Sequence, residues 1–426
     1  MYATKLLAAF LAGVSLAGCS DLLEQNAPSR VLEEDLLDPN SAKLLVDGAR
    51  AAFGCAYQAY VTASGLVSDE MEDTQLGAAG WDYDRRSIVT VGIYADAVCE
   101  TSQLFGIYRP LQTARYQAEY AFVTIQGFPA EEVVNRETLL ATAALYAGYS
   151  YVLLGEGFCT AAVSAPTELL NASGGAELES TDMFEAAESW FTEAITIGTT
   201  AGAAAAPIVN AAYVGRARAR LNLGKLAEAR ADAVLVPAGF VYNIPYAPAT
   251  GYSQNLLYRR QRDFLLYGVA PPFRKLTFAG VTDPRTIVDS TGLRGADGVS
   301  LVWAAAKYAS MTAPIALAKY AEAQLIIAEI DGGQAAVGII NALHTAAGLP
   351  AFNSSDEAAI QAQVIQERDR ELFLEGHRMW TIRRHNLPLN PTTGTAYPIK
   401  GGTYGDTRCF PLPDIERNNN PKLGGV

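Results

Sequence analysis

The sequence predicts a helical protein of paired helices interrupted by one loop-rich stretch. Three observations carry this. Apolar residues recur at steps of three and four over long segments, the period of a helix with one buried face. Small residues flank a glycine midway through residues 208–236, as in two helices packed closely about a tight turn. Prolines crowd residues 237–310, where that period lapses.

The chain opens MYATKLLAAFLAGVSLAGC, with Lys5, an apolar run from Leu6 to Leu16 and small residues before Cys19. A charged start, a short apolar run and a small-residue end read as a secretion leader over residues 1–18. The run is too short to stay in a bilayer, and no later stretch offers the roughly 18 uncharged apolar residues that spanning requires. Leu16-Ala17-Gly18-Cys19 resembles a lipobox, in which the cysteine is lipidated and becomes the new N-terminus. Acyl chains would anchor it at about 0.8 kcal/mol per buried methylene. Residues 19–35 are polar, contain Pro28 and suit a tether, leaving 36–426 as the folded domain.

Within that domain, Leu45, Ala49, Ala52, Ala56 and Tyr60 form a first helical stripe. Leu104, Ile107, Leu111, Ala114, Ala118, Phe122 and Ile125 form a second. Leu140, Ala143, Ala144, Ala147, Tyr151 and Leu154 form a third, which Gly155 and Gly157 should stop. A fourth should begin near Asp182, capped with Glu185 three residues on. Ala212, Ala219 and Leu223, then Gly224, then Leu226, Ala229 and Ala233 make a hairpin similar to the tetratricopeptide repeat, whose units bury their apolar faces by stacking. No strict period of about 34 residues runs through the chain, so the stack is not a regular solenoid.

Pro237, Pro245, Pro248, Pro271, Pro272 and Pro284 mark the insert, about residues 237–310. Helical periodicity returns with Ile315, Ala318, Tyr320, Ala321, Leu325 and Ala328, and again after Ser354, which should form a capping box with Glu357. Gln366 to Arg384 reads as one helix with Phe373, Leu374 and Trp380 facing inward. Gly401 to Val426 is irregular, and strands are few and short.

Composition narrows the function. The 426 residues are 50% hydrophobic with a net charge of −13, which suits a globular fold and argues against nucleic acid, whose phosphates need clustered Lys and Arg. Cys55, Cys99, Cys159 and Cys409 remain after Cys19; in an exported chain they allow two disulfides in any of three pairings, or stay as buried thiols. His344, His377 and His385 are too few and too oddly spaced for a metal cluster. Glu371 and Glu375, four apart, have the look of a glycosidase pair, but Arg368, Arg370 and Arg378 nearby give a simpler account as ion-pair partners. No phosphate loop or nucleophile elbow occurs, so neither an enzyme nor a cofactor is expected.

The motifs resemble one family, that of the SusD/RagB nutrient-uptake lipoproteins. Glu367-Arg368-Asp369-Arg370-Glu371-Leu372-Phe373-Leu374-Glu375-Gly376-His377-Arg378-Met379-Trp380, running on to Arg383-Arg384, looks like the family's ER-x-x-E-x-x-x-EG-x-R segment. Lys319 to Glu329 is similar to its Arg-Tyr-Ala-Glu helix, and Phe410-Pro411-Leu412-Pro413 through Pro421 to its closing Pro-x-Pro segment. Ser68-Asp69-Glu70, Tyr146 to Gly157 and Asp283-Pro284-Arg285 fall in the expected order. Arg115 departs from it, standing where relatives tend to carry Asn. The resemblance implies an all-α fold with tetratricopeptide-like hairpins and a looped ligand-facing region. It also implies an outer-membrane lipoprotein at the cell surface that binds an oligosaccharide or peptide and serves a SusC-like TonB-dependent β-barrel transporter. The alternatives are a tetratricopeptide-like adaptor between proteins and a surface glycosidase.

For the ligand, exposed aromatics beside hydrogen-bonding groups are the natural candidates, since sugar C–H faces stack on rings. Gly80-Trp81-Asp82-Tyr83-Asp84-Arg85, expected in a loop after Ser68-Asp69-Glu70, supplies Trp81, Asp82, Tyr83 and Arg85. Trp303 and Tyr308 make a second patch. The competing role for Trp81 is to pin the loop to the helices, and no family motif carries over onto these positions.

Overall fold

The computed structural model describes residues 34–75, 78–99, 105–164, 174–249, 251–398, 401–418 and 420–424. The leader, Cys19 and the tether as far as residue 33 lie outside them. Glu34, expected in the tether, opens a 3₁₀ turn, Glu34–Leu37.

Paired helices follow from the apolar stripes. α1 (Ala42–Val67) packs on α2 (Tyr108–Gly127), α2 on α3 (Arg136–Gly157), α3 on α4 (Ser180–Ala201), α4 on α5 (Ala206–Asn222) and α5 on α6 (Leu226–Ala233). Beyond the insert, α7 (Tyr320–Asp331), α8 (Gly333–Ala347) and α9 (Glu357–Glu371) pack together, and α7 also joins α5 and α6. α10 (Arg378–Arg384) returns against α1 and α3. The class is all-α, and the hairpin about Gly224 forms as its small residues predict.

Small residues matter most around α3. A Cβ built at Gly148 on α3 would stand 2.8 Å from the Phe191 ring of α4, and one at Gly215 on α5 would stand 2.3 Å from it. Phe191 therefore lies between two glycines, and three helices approach more closely than side chains would permit. Gly155 and Gly157 do not stop α3 short; both belong to it, and added Cβ atoms there would meet Phe184 at 2.7 Å and Tyr60 at 2.5 Å. α3 is buried from Leu140 to Gly157. By length and composition it and the stretch Ser180–Asn222 are apolar enough to cross a bilayer, contrary to the expectation that no segment would be; for α3, 89% of its most apolar window is inside the protein, as in a core helix.

Three local expectations are corrected. The fourth helix starts at Ser180, with Glu179 as cap and Asp182 as its reciprocal partner, accepting the Glu179 N–H at 2.9 Å. α9 is capped by Asp356, which accepts from Ala358 N at 2.8 Å, while Glu357 turns away to accept the Gly333 N–H at 2.9 Å. Ser354 only supports Asp356, accepting its N–H at 3.1 Å. Finally, Gln366–Arg384 is not one helix.

It breaks after Glu371, and Leu374 (φ 53°) and Gly376 (φ 85°) take left-handed conformations before α10 begins. Distant side chains satisfy the exposed main chain. Tyr308 donates to Leu374 O at 2.8 Å, Lys307 to Phe373 O at 2.8 Å and Lys319 to Glu371 O. Glu70 accepts the Leu374 N–H at 3.0 Å. Phe373 and Leu374 are buried, as expected; Trp380 is half-buried and donates to Asn222 Oδ1 at 2.9 Å.

Strands among the described residues form five antiparallel pairs. Met71–Asp73 pairs with Tyr267–Val269, and Ile315–Lys319 with Val241–Ile244, so short ladders stitch the insert to the helices. The insert is thus less irregular than its prolines suggest: it also holds the helix Leu256–Arg262 and the hairpin Val288–Arg294 with Leu301–Ala305. The cysteines pair as Cys55–Cys99 and Cys159–Cys409. Arg115 is buried, donating to Gln112 Oε1 at 2.9 Å, to Ser164 O at 3.1 Å and to Glu119.

Buried charge holds the hairpins together. Arg218 on α5 donates from Nε to Glu156 of α3 at 2.7 Å and lies 3.7 Å from Glu322 of α7, all three nearly solvent-free. Removing one member of such a pair strands the other in low dielectric, a cost of about 3 to 5 kcal/mol.

Candidate functional site

The carboxylates that could suggest a glycosidase are structural. Glu371 lies 3.0 Å from Arg285, and Glu375, past the helix end, lies 3.0 Å from Lys319 and also contacts Lys307. Their partners come from the insert and from the strand before α7, not from Arg368, Arg370 or Arg378. His344 is buried between Pro350 O at 2.7 Å and Glu367 at 2.9 Å. Burial, with Arg218 and Arg368 nearby, lowers His377 well below the usual histidine range. Among the described residues no group of His, Cys, Asp and Glu could hold a metal ion.

The expected aromatic loop is a short helix, Ala78–Asp84. Helical spacing turns Tyr83 inward, where it is fully buried against Tyr94, Phe105 and Phe410, so it offers no face to a ligand. Trp81 is half-buried, with the Arg85 guanidinium 4.5 Å from its ring, and Arg85 lies 3.3 Å from Asp82. Tyr308 is likewise a core residue, tied to Leu374. Trp303 is half-buried on Leu301–Ala305, under Arg274 at 5.1 Å and Lys275 at 5.7 Å.

A cleft of about 620 Å³ opens between these two patches. One wall is the turn and strand after α1, carrying Asp69 and Glu72; another is the loop of residues 390–404, carrying Asn390, Pro391 and Tyr404; Asp84 and Pro271 complete it. Of the first candidate stretch only Asp84 lines it, and none of Trp81, Asp82, Tyr83, Arg85, Trp303 and Tyr308 does, yet both patches touch its walls. Arg274, stacked on Trp303, reaches Glu72, and the Arg85 carbonyl accepts the Gly405 N–H at 2.8 Å beside Tyr404.

Each wall is braced from behind. Arg378 donates to Asp69 at 2.8 Å and 3.1 Å and to Asp369 at 2.7 Å. Asp84 Oδ2 accepts the Asp73 N–H at 2.8 Å and the Tyr397 hydroxyl at 2.7 Å, joining the strand to the 390–404 loop. Arg86, 2% exposed, lies 5.0 Å from the Tyr404 ring and donates to Pro391 O. Burial pushes Glu72 up to about 7, against the pull of Arg274, and Glu70 just beneath up to about 8. Such a cleft can accept hydrogen bonds from hydroxyls on its carboxylates and lay sugar C–H faces on its proline rings.

Sequence reasoning missed Glu72, Asn390 and Tyr404 as site residues. Asp69 and Asp84 stood inside quoted motifs without being assigned a role. The usable signal was the acidic run Asp69, Glu70, Glu72, Asp73 directly after an apolar helix.

Residues 316–423 match the model of the SusD family. No protein of curated function matches the sequence. Solved structures match the fold: a SusD-like carbohydrate binding protein from Bacteroides vulgatus has a TM-score of 0.63 at 16% identity, covering 85% of this chain and 86% of that one. A laminarin-binding SusD-like protein has a TM-score of 0.65 at 13% identity, covering 90% and 98%. A SusD-like protein from Bacteroides fragilis has a TM-score of 0.68 at 12% identity, covering 92% and 97%. At these identities the structures speak for the fold, and the match over residues 316–423 supplies the sequence relation. The C-terminal segment thus matches the SusD family in sequence, and the chain shares the fold of the SusD-like structures.

Proposed function

We propose that this protein is a surface nutrient-binding lipoprotein, lipidated at Cys19 and held at the outer membrane, that binds an oligosaccharide in the cleft and passes it to a SusC-like TonB-dependent barrel. It binds without cleaving. The observation that carries the reading is the cleft itself, whose walls join Asp69, Glu72 and Asp84 to Asn390, Pro391 and Tyr404 of the family-matched segment. The carbohydrate-binding and laminarin-binding structures of the same fold support a glycan over a peptide. Rigid walls suit a site that must release its ligand intact, since little ordering is needed on binding.

Calorimetric titration of a panel of neutral and charged oligosaccharides and of peptides tests this. Binding of a glycan without turnover is the expected result. Binding of peptides alone would replace the ligand class, and hydrolysis of a bound glycan would replace the reading with an enzyme.

A further inference from the structure

The carboxylates of Asp69, Glu72 and Asp84 stand in front, on the cleft wall, and their cations stand behind. No Lys or Arg is among the described residues lining the cleft. Arg378 reaches Asp69 from outside the lining, Arg274 reaches Glu72, and Arg86 is enclosed behind Tyr404 and Pro391. Front and back charges nearly balance in number, but the carboxylates belong to the lining and the guanidiniums do not, so a ligand in the cleft lies nearer the carboxylates. Coulomb energy falls with distance, so the nearer layer decides the sign of the local field. The whole chain, at −13, adds a background of the same sign.

We infer that the cleft selects uncharged, hydroxyl-rich oligosaccharides and rejects anionic ones that carry uronate or sulfate groups. A neutral sugar brings O–H donors, which the Asp69 and Glu72 carboxylates can accept without losing their guanidinium partners. An anionic sugar brings further acceptors against acceptors, unpaired and of like charge, which is how an interface discriminates by repulsion. Glu72 is the most exposed of the three, its side chain 25% open, and so meets the ligand first; with its carboxyl raised to about 7 it bears full charge above that pH, where the titrations are run.

This inference rests on the proposed function, and one experiment separates the two. Neutral oligosaccharides of glucan, xylan, mannan and galactan type are titrated, and the one that binds is compared with its carboxymethylated derivative of equal length. The derivative should bind about tenfold weaker or worse. Glu72→Gln keeps the reach to Arg274, and Asp84→Asn keeps an acceptor for Asp73 and Tyr397; each should narrow the gap, with melting curves confirming the fold. Equal or tighter binding of the derivative, or a gap that neither folded variant narrows, overturns the selectivity while leaving glycan binding in place. Failure of every neutral glycan to bind overturns the function reading and this inference with it.

Discussion

Glu70 and Leu374 are 304 residues apart in sequence, yet the Glu70 carboxylate accepts the Leu374 N–H at 3.0 Å and so holds the left-handed residue that ends the α9 segment. Glu70 is 1% exposed, and its second oxygen has no hydrogen-bond partner among the described residues. Burial raises it from an ordinary 4.5 to about 8. The fold therefore favours the neutral acid. That preference is fully present below the unfolded value of 4.5 and is lost as pH rises through 8. Glu70→Gln, which keeps the acceptor and never ionises, should melt higher than the parent at pH 8 and close to it at pH 4.5. A parallel pair of melting curves across that range would refute the assignment.

Phe191 between Gly148 and Gly215 makes a steric prediction. Gly215→Ala places a methyl against the ring and should destabilise by about 1 to 3 kcal/mol. Phe191→Leu in the same chain should recover part of the loss, because the two changes share one space. Denaturant unfolding of the single and double variants measures this, and strict additivity would contradict the packing.

Arg218 is a keystone of charge among α3, α5 and α7. Arg218→Met leaves Glu156 and Glu322 buried together and should cost about 3 to 5 kcal/mol at neutral pH, read by thermal or denaturant unfolding. Burial already raises Glu322 to about 7, so the deficit should shrink as pH falls below that value and Glu322 is neutral; an equal deficit at pH 4 would remove the charge explanation.

For binding, Tyr404→Ala should weaken the ligand by about 2 kcal/mol, roughly thirtyfold, since it removes a ring from the cleft wall. Trp81→Ala, which lies outside the wall and under Arg85, should weaken it far less. Reversed magnitudes would move the site to the Trp81 patch.

Anchoring is read by fractionation. Cys19→Ser removes the acceptor thiol of the proposed lipobox, and the variant should leave the membrane fraction after a high-salt wash. Persistence there would point to a different anchor.

The helical stack was legible because its signals are local: stripes at three and four, and small residues about Gly224, lie within one or two turns of each other. The turn at 372–377 was not. Helix-forming residues run through it, and the left-handed Leu374 is held by Glu70, Lys307 and Tyr308 from other parts of the chain. The site was hidden for the same reason. Asp69, Asp84, Pro271 and Tyr404 meet only in the folded chain, and no spacing joins them. Tyr83 misled because a loop was expected where a helix forms, and a helix turns one of two aromatics two residues apart away from the other.

The disulfides also decide how the molecule would bear a mechanical load. A pull applied at the two ends travels along covalent bonds, crossing from Cys55 directly to Cys99 and from Cys159 directly to Cys409. Everything looped out between each pair is shielded from tension, including the insert, Glu70 with its turn, and most of the cleft. Only the segments before Cys55, between Cys99 and Cys159 and after Cys409 can be drawn out, so α2 and α3 carry the force while the binding walls stay slack. Reduction of the Cys159–Cys409 bond removes that protection from a loop spanning 250 residues, and the cleft walls at Pro271 and at residues 390–404 then lie in the path of the pull, while Asp69, Glu72 and Asp84 stay shielded by Cys55–Cys99.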